Sequence, residues 1–204
     1  NSRDNILEIK NLKKIYHTKQ GETLAVEDFT FDIKPGEFVA IVGPSGCGKS
    51  TILSILCGLE KESGGKIIMN DSVRIGYMLQ NDSLFEWRNI LNNCLIGLEI
   101  NKDLNEENKE YVLNLLKNYG LDDFKDSYPN NLSGGMRQRV ALIRTLATKP
   151  DILLLDEPFS HLDDQNKNLL MNMIEKEAIK NNAGIILTTL EFNNDKRLSH
   201  VIQL

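Results

Sequence analysis

Nine consecutive residues, Gly43-Pro44-Ser45-Gly46-Cys47-Gly48-Lys49-Ser50-Thr51, have the types and spacing that hold a phosphate. They fit the pattern G-x-x-x-x-G-K-S/T between an apolar run, EFVAIV, and a helical stretch, KSTILSILCGL, which is the context the pattern requires. Gly43, Gly46 and Gly48 let the backbone curl until successive N–H groups point inward at phosphate oxygens. The helix start adds partial positive charge at the same place. Lys49 can then reach the β and γ phosphates, and the Ser50 hydroxyl can ligate Mg²⁺. A glycine-rich turn can match by chance, but seldom with both flanks correct.

A second group is acidic. The apolar run Ile152-Leu153-Leu154-Leu155 ends in Asp156 and Glu157. Strand ends of open parallel sheets are where ligands bind. There Asp156 would assist Mg²⁺ and Glu157 would polarise an attacking water. The plainer reading, a strand ending in a polar turn, is made reasonable by Pro158. A third group is Leu132-Ser133-Gly134-Gly135-Met136-Arg137-Gln138-Arg139. Its first half can be a helix N-cap with a flexible lead-in. The same hydroxyl and exposed N–H groups at a helix start also suit a phosphate.

These groups need elements to position them. ILEIKNLKKIY (6–16), FTFDI (29–33), EFVAIV (37–42), KIIM (66–69) and RIGYML (74–79) read as strands, as do DILLLD (151–156), GIILTT (184–189) and VIQL (201–204). Residues 80–145 read as mostly helical, with Asn105 as an N-cap and Gly120 closing the segment. Residues 163–181 read as another helix. Strands separated by helical stretches predict an α/β fold with a largely parallel sheet. The insertion from about 85 to 140 reads as a lobe outside that sheet.

Composition narrows the function. The chain has 204 residues, 24 basic against 29 acidic, a formal net charge of -5. That balance argues against nucleic acid as a partner, because phosphate backbones attract basic faces. No apolar run approaches the ~18 residues a membrane span needs. The opening NSRDNILEIK has no apolar signal region, so no secretory route is expected. Cys47, Cys57 and Cys94 form no CxxC pair and read as reduced thiols packed like small hydrophobes.

With the three motifs in this order, the sequence resembles the ATP-binding subunit of ABC transporters. LSGGMRQR is similar to the family's signature, Gln80 to its Q-loop glutamine, and Ser160-His161-Leu162-Asp163 to the D-loop after the catalytic carboxylate. Tyr16 sits where the family stacks an aromatic on adenine. A strand aromatic packed for its own sake remains the alternative there. The resemblance implies a P-loop cassette with a mostly parallel core sheet flanked by helices, an N-terminal antiparallel β portion and a helical signature lobe. It implies one nucleotide-binding domain over 1–204, with about 1–84 and 145–204 as core and about 85–144 as lobe.

The resemblance further implies ATP and Mg²⁺ as ligands. Tyr16, Gly43, Ser45, Gly46, Cys47, Gly48, Lys49, Ser50 and Thr51 would bind ATP. Lys49, Gln80 and Glu157 would be catalytic. Ser50, Gln80 and Asp156 would hold the metal. ATP would lie between two head-to-tail copies, a homodimer, with Ser133, Gly134, Gly135 and Gln138 acting in trans. The further partners would be integral-membrane permease subunits and, indirectly, an extracytoplasmic substrate-binding protein. The chain would then sit on the cytoplasmic face of the membrane. The pair Trp87-Arg88 and the stretch Gly97-Leu98-Glu99 are similar to the nitrate, sulfonate and taurine importer branch. Trp87 reads equally as a lobe-core residue or an interface anchor.

Two departures stand out. The family carries a switch histidine just after the last core strand, and Leu190 stands there instead; residues 184–199 contain no histidine. His17, His161 and His200 read as surface or packing residues, His200 at a helix end. A lost hydrogen bond of that kind costs on the order of 2–4 kcal/mol of transition-state stabilisation, so slowed hydrolysis is expected. Many importer ATPases of this branch also continue past the last core strand, whereas the sequence ends at Leu204, giving the expectation of no regulatory extension. The competing functions are a dimerising ATP switch with little hydrolysis and a soluble non-transport ABC protein.

Overall fold

The computed structural model describes residues 5–191 and 195–204, so the opening NSRD lies outside the described residues. Five strands form one parallel sheet: β3 (Phe38–Val42), β5 (Ile75–Met78), β6 (Ile152–Asp156), β7 (Gly184–Thr189) and β8 (His200–Gln203). Their order across the sheet is β5-β6-β7-β3-β8. Three more form an antiparallel sheet in the order β2-β1-β4: β1 (Leu7–Thr18), β2 (Gly21–Ile33) and β4 (Gly64–Met69). The α-helices are α1 (Lys49–Leu56), α2 (Ile90–Ile100), α3 (Glu106–Asn118), α4 (Gly134–Leu146) and α5 (Asp164–Glu177).

The continuous apolar runs of the central strands follow from burial on both faces. Phe38, Ala40 and Val42 of β3 join Leu153, Leu155, Ile185 and Leu187 on one face, beneath α2, α3, α4 and α5. Val39 and Ile41 join Ile152, Leu154 and Ile186 on the other, against α1 and the antiparallel sheet. Each such side chain removed from water contributes about 1.5–3 kcal/mol. This two-sided packing fixes the strand ends, and hence the loops that carry chemistry, in one plane.

The expected fold class is the one observed, with differences in detail. β2 starts at Gly21, not Phe29, because it is an edge strand whose first residues are exposed and show no alternation. Residues 80–89 are loop rather than helix: α2 starts only at Ile90, capped by Asn89, whose side chain accepts the N–H of Asn92. Asn105 is the N-cap expected, accepting the N–H of Asn108. The helix expected over 163–181 is α5 followed by a short 3-10 turn, Ile179–Asn181. His200 is not at a helix end; it opens β8 and lies 3.2 Å from Glu37. Cys94 is fully buried and burial pushes its thiol up to about 12, whereas Cys47 and Cys57 are only half-buried. Among the described residues no helix is long and apolar enough to cross a membrane.

Candidate active site

The glycine-rich loop leaves β3 at Gly43 and enters α1 at Lys49. Gly48 is the N-cap with φ 101°, a left-handed backbone that favours glycine. A Cβ at Gly48 would also run into the Ala25 carbonyl of β2, so the antiparallel sheet lies directly on the loop. No acidic side chain compensates the first turn of α1. The N–H groups of Lys49, Ser50 and Thr51 lie where an α-helix has no internal acceptor for them. An anion fits there.

Three side chains from distant parts of the chain, Gln80, Asp156 and Glu157, converge on Lys49 and Ser50 of this loop. Lys49 is buried, with its ammonium on the carbonyl oxygens of Gly43 and Pro44 and 3.5 Å from the Glu157 carboxylate. A buried charge needs such partners. Gln80 leaves β5 and donates from Nε2 to Glu157 Oε2 at 2.8 Å. Ser50 donates to Asp156 Oδ1 at 3.2 Å. Glu157 has φ 45°, an uncommon conformation for a non-glycine residue and one that clusters at functional sites.

Sequence reasoning missed Thr188. This fully buried residue of β7 donates to Asp156 Oδ1 at 2.8 Å and accepts the N–H of Glu157 at 2.9 Å. One hydroxyl thereby orients both carboxylate residues. Tyr77 of β5 was missed too. Burial and the nearby Asp156 carboxylate push its phenol up to about 12. The only sequence signal for Thr188 is a hydroxyl at the end of an otherwise apolar strand.

The structure does not bring the signature residues to the loop of the same chain. Ser133 caps α4, accepting the Met136 N–H, and is exposed with Gly134. Gly135 is buried against the Asn166 side chain of α5. Gln138 is buried and donates to the Pro158 carbonyl at 2.8 Å, reaching the residue after Glu157. Tyr16 lies half-buried on β1 opposite Thr23, two residues from the Ala25 carbonyl that touches the loop. The Lys14 ammonium is 5.1 Å from the centre of its ring.

Leu190 follows β7 and is 50% exposed. It lines a cleft of about 660 Å³ together with Glu157 and His161, over a floor of Phe38, Ala40 and Leu187. Trp87 is 75% exposed and tilted against Phe85, so it is not a lobe-core residue. The buried amide of Asn93 holds its loop, accepting the Phe85 N–H and donating to the carbonyls of Phe85, Arg88 and Asn89. Arg88 donates to both carboxylate oxygens of Glu99, at 3.1 and 2.7 Å. Trp87-Arg88 and Gly97-Leu98-Glu99 are thus joined in one brace.

Comparison with known proteins agrees with this geometry. The ABC transporter family profile matches residues 26–160. A Bacillus subtilis ABC transporter ATP-binding protein, YtlC, is 43% identical, covering 97% of this chain and 78% of its own. A Chlorella vulgaris protein described as a probable sulfate/thiosulfate import ATP-binding protein, CysA, is 38% identical over 96% of this chain and 85% of its own. A Bacillus cereus methionine import ATP-binding protein, MetN 2, is 36% identical over 96% of this chain, which spans only 62% of that relative. A dimeric structure of the ATP-binding cassette MJ0796 in a post-hydrolysis state, bound to ADP and Pi, superposes with TM-score 0.84 at 30% identity, covering 97% of this chain and 94% of the other. The chain belongs to the ABC transporter family and is one of its ATP-binding cassettes, an ATPase.

Proposed function

We propose that this cassette binds MgATP and powers a membrane importer of a small nutrient. The observation that carries the reading is the meeting of Lys49, Gln80 and Glu157 beside the glycine-rich loop at the start of α1. Gly43, Ser45, Gly46, Cys47, Gly48, Lys49, Ser50 and Thr51 bind the phosphates, and Tyr16 stacks on adenine. Glu157 orients and polarises the attacking water, accepting its proton as the water oxygen bonds to the γ-phosphorus and the bond from that phosphorus to the β–γ bridging oxygen breaks, ADP leaving with the electron pair. Gln80 holds that carboxylate in place, and Lys49 stabilises charge on the phosphate oxygens.

The residues fit Mg²⁺. Among the described residues no three His, Cys, Asp or Glu side chains cluster to hold a metal by themselves. Mg²⁺ needs fewer, because phosphates and waters supply most of its ligands. Ser50, Asp156 and Gln80 would hold it, and Thr188 already fixes the Asp156 carboxylate. Bound there, Mg²⁺ would supply charge neutralisation at the β and γ phosphates.

Two copies pack head to tail, so that Ser133, Gly134, Gly135 and Gln138 of one meet the nucleotide of the other. The exposure of Ser133 and Gly134, away from their own loop, supports this. The lobe of about residues 85–144 presents the signature, and the permease docks near Gln80 on the cytoplasmic face. An extracytoplasmic binding protein delivers cargo to that permease. Relatives named for methionine and sulfate import support a small-nutrient importer. The similarity of Trp87-Arg88 and Gly97-Leu98-Glu99 to the nitrate, sulfonate and taurine importer branch supports a cargo of that class.

A second reading, a dimerising switch with slow turnover, is favoured by Leu190, which faces the Glu157 cleft with a side chain unable to hydrogen-bond. Titration calorimetry with MgATP and sedimentation of a Glu157→Gln variant test the proposal. The expected result is ATP binding that Lys49→Ala abolishes, and ATP-dependent dimers of Glu157→Gln. Monomers at saturating ATP would overturn the head-to-tail reading.

A further inference from the structure

Helix α4 begins at the signature serine, and its side chains reach back to the segment after Gln80. Arg137 donates from Nε and Nη2 to the two carboxylate oxygens of Asp82, at 2.9 and 3.1 Å, and from Nη2 to Glu86 at 2.8 Å. Two turns on, Arg144 donates to the carbonyls of Asp82 and Ser83, at 2.6 and 3.1 Å. Ser83 takes φ 53° at this crossing, and Asp82 also accepts the Leu84 N–H at 3.2 Å. The side chains of Arg137 and Asp82 are only 21% and 22% exposed. This is a forked, partly desolvated pair, not one of the loose surface pairs that contribute little.

The neighbouring residue reaches the other way. Gln138 holds the Pro158 carbonyl, directly after Glu157. Adjacent residues of α4 thus grip both strand exits that meet in the Gln80–Glu157 hydrogen bond.

We propose that Arg137 is a positioning residue, latching the signature turn of each subunit to its own Gln80 segment through Asp82 and Glu86. The signature a subunit offers its partner is then held in register with the state of its own catalytic carboxylate. The latch rests on the function proposed above and deepens it, by joining the two nucleotide sites of the dimer within one chain. Burial works to raise the Asp82 carboxyl, but the Arg137 fork and the Leu84 N–H carry it below its ordinary value. The Asp82 bonds and charge raise Arg137 despite burial. Both partners therefore stay charged at neutral pH.

The test uses the full chain, with ATP affinity from calorimetry and turnover from phosphate release. Arg137→Met and Asp82→Asn should each lower kcat about tenfold, while ATP Kd moves by no more than about twofold. The double variant should be no slower than either single one, because both remove the same contact. Arg137→Lys should recover only part of the rate, since an ammonium cannot make the fork. The latch is overturned if the single effects multiply, if ATP affinity falls along with kcat, or if kcat does not change. Failure of the underlying site reading shows separately: wild type would then bind no ATP, or bind it equally after Lys49→Ala.

Discussion

Gln80 and Glu157 leave neighbouring parallel strands and meet at 2.8 Å, Nε2 of the glutamine donating to Oε2 of the glutamate. Lys49 lies 3.5 Å from the other carboxylate oxygen. One carboxylate is therefore held by an amide from β5 and a cation from the loop after β3, while Thr188 of β7 holds its backbone. Three strand ends orient a single acceptor. That is the preorganisation a general base needs.

Leu190→His should raise turnover by at least about tenfold, against the two to three decades that a lost transition-state hydrogen bond can cost. Leu190 is half exposed, so its replacement should leave the melting temperature nearly unchanged. Steady-state phosphate release by both proteins checks this. Rapid turnover by wild type, with no gain in the variant, would show that the position does not limit hydrolysis.

Gly48→Ala should destabilise the fold by roughly 3 kcal/mol, combining left-handed strain with overlap on the Ala25 carbonyl. ATP affinity should fall with it. Thermal denaturation with and without MgATP measures both: the variant should melt lower and lose the shift that ATP confers on wild type.

Alkali should unfold the protein partly through Tyr77. Its phenol titrates at about 12 in the fold against 10.0 ordinarily, so the unfolded chain loses the proton first. The contribution is fully present below pH 10 and is lost as pH rises toward 12. Tyr77→Phe should flatten the fall of melting temperature across that window. Equal slopes in both proteins would refute the assignment.

How much of this was legible in the sequence depended on the range of the interaction. The loop from Gly43 to Thr51 was readable because one contiguous stretch must supply both the curl and the cation. The pair Asp156-Glu157 was readable because β6 is apolar on both faces up to its last residue. The Asn105 cap is likewise local. Thr188 was not legible: its partners lie 31 and 32 residues away and only the β6–β7 register brings them together. The Arg137–Asp82 pair spans 55 residues. Residues 80–89 read as part of the mostly helical stretch 80–145, but the Asn93 amide takes up the backbone groups a helix would have used.

Trp87 is the sole tryptophan, so its fluorescence reports on this loop alone. Wild type should show the red-shifted, readily quenched emission of an exposed indole. Asn93→Ala removes four hydrogen bonds and should cost about 3 kcal/mol. Assembly with permease subunits stripped of their own tryptophans should shift the emission to the blue if the indole anchors that interface. An unchanged spectrum in the assembled complex would remove Trp87 from the docking surface.

Phosphate release at saturating MgATP, comparing wild type with Glu157→Gln at equal ATP affinity, tests the central claim most directly. A general base at this position should be worth at least about a hundredfold in kcat, with ATP Kd changed by no more than about twofold. Equal turnover by the two proteins would contradict the assignment of Glu157 as the residue that activates water.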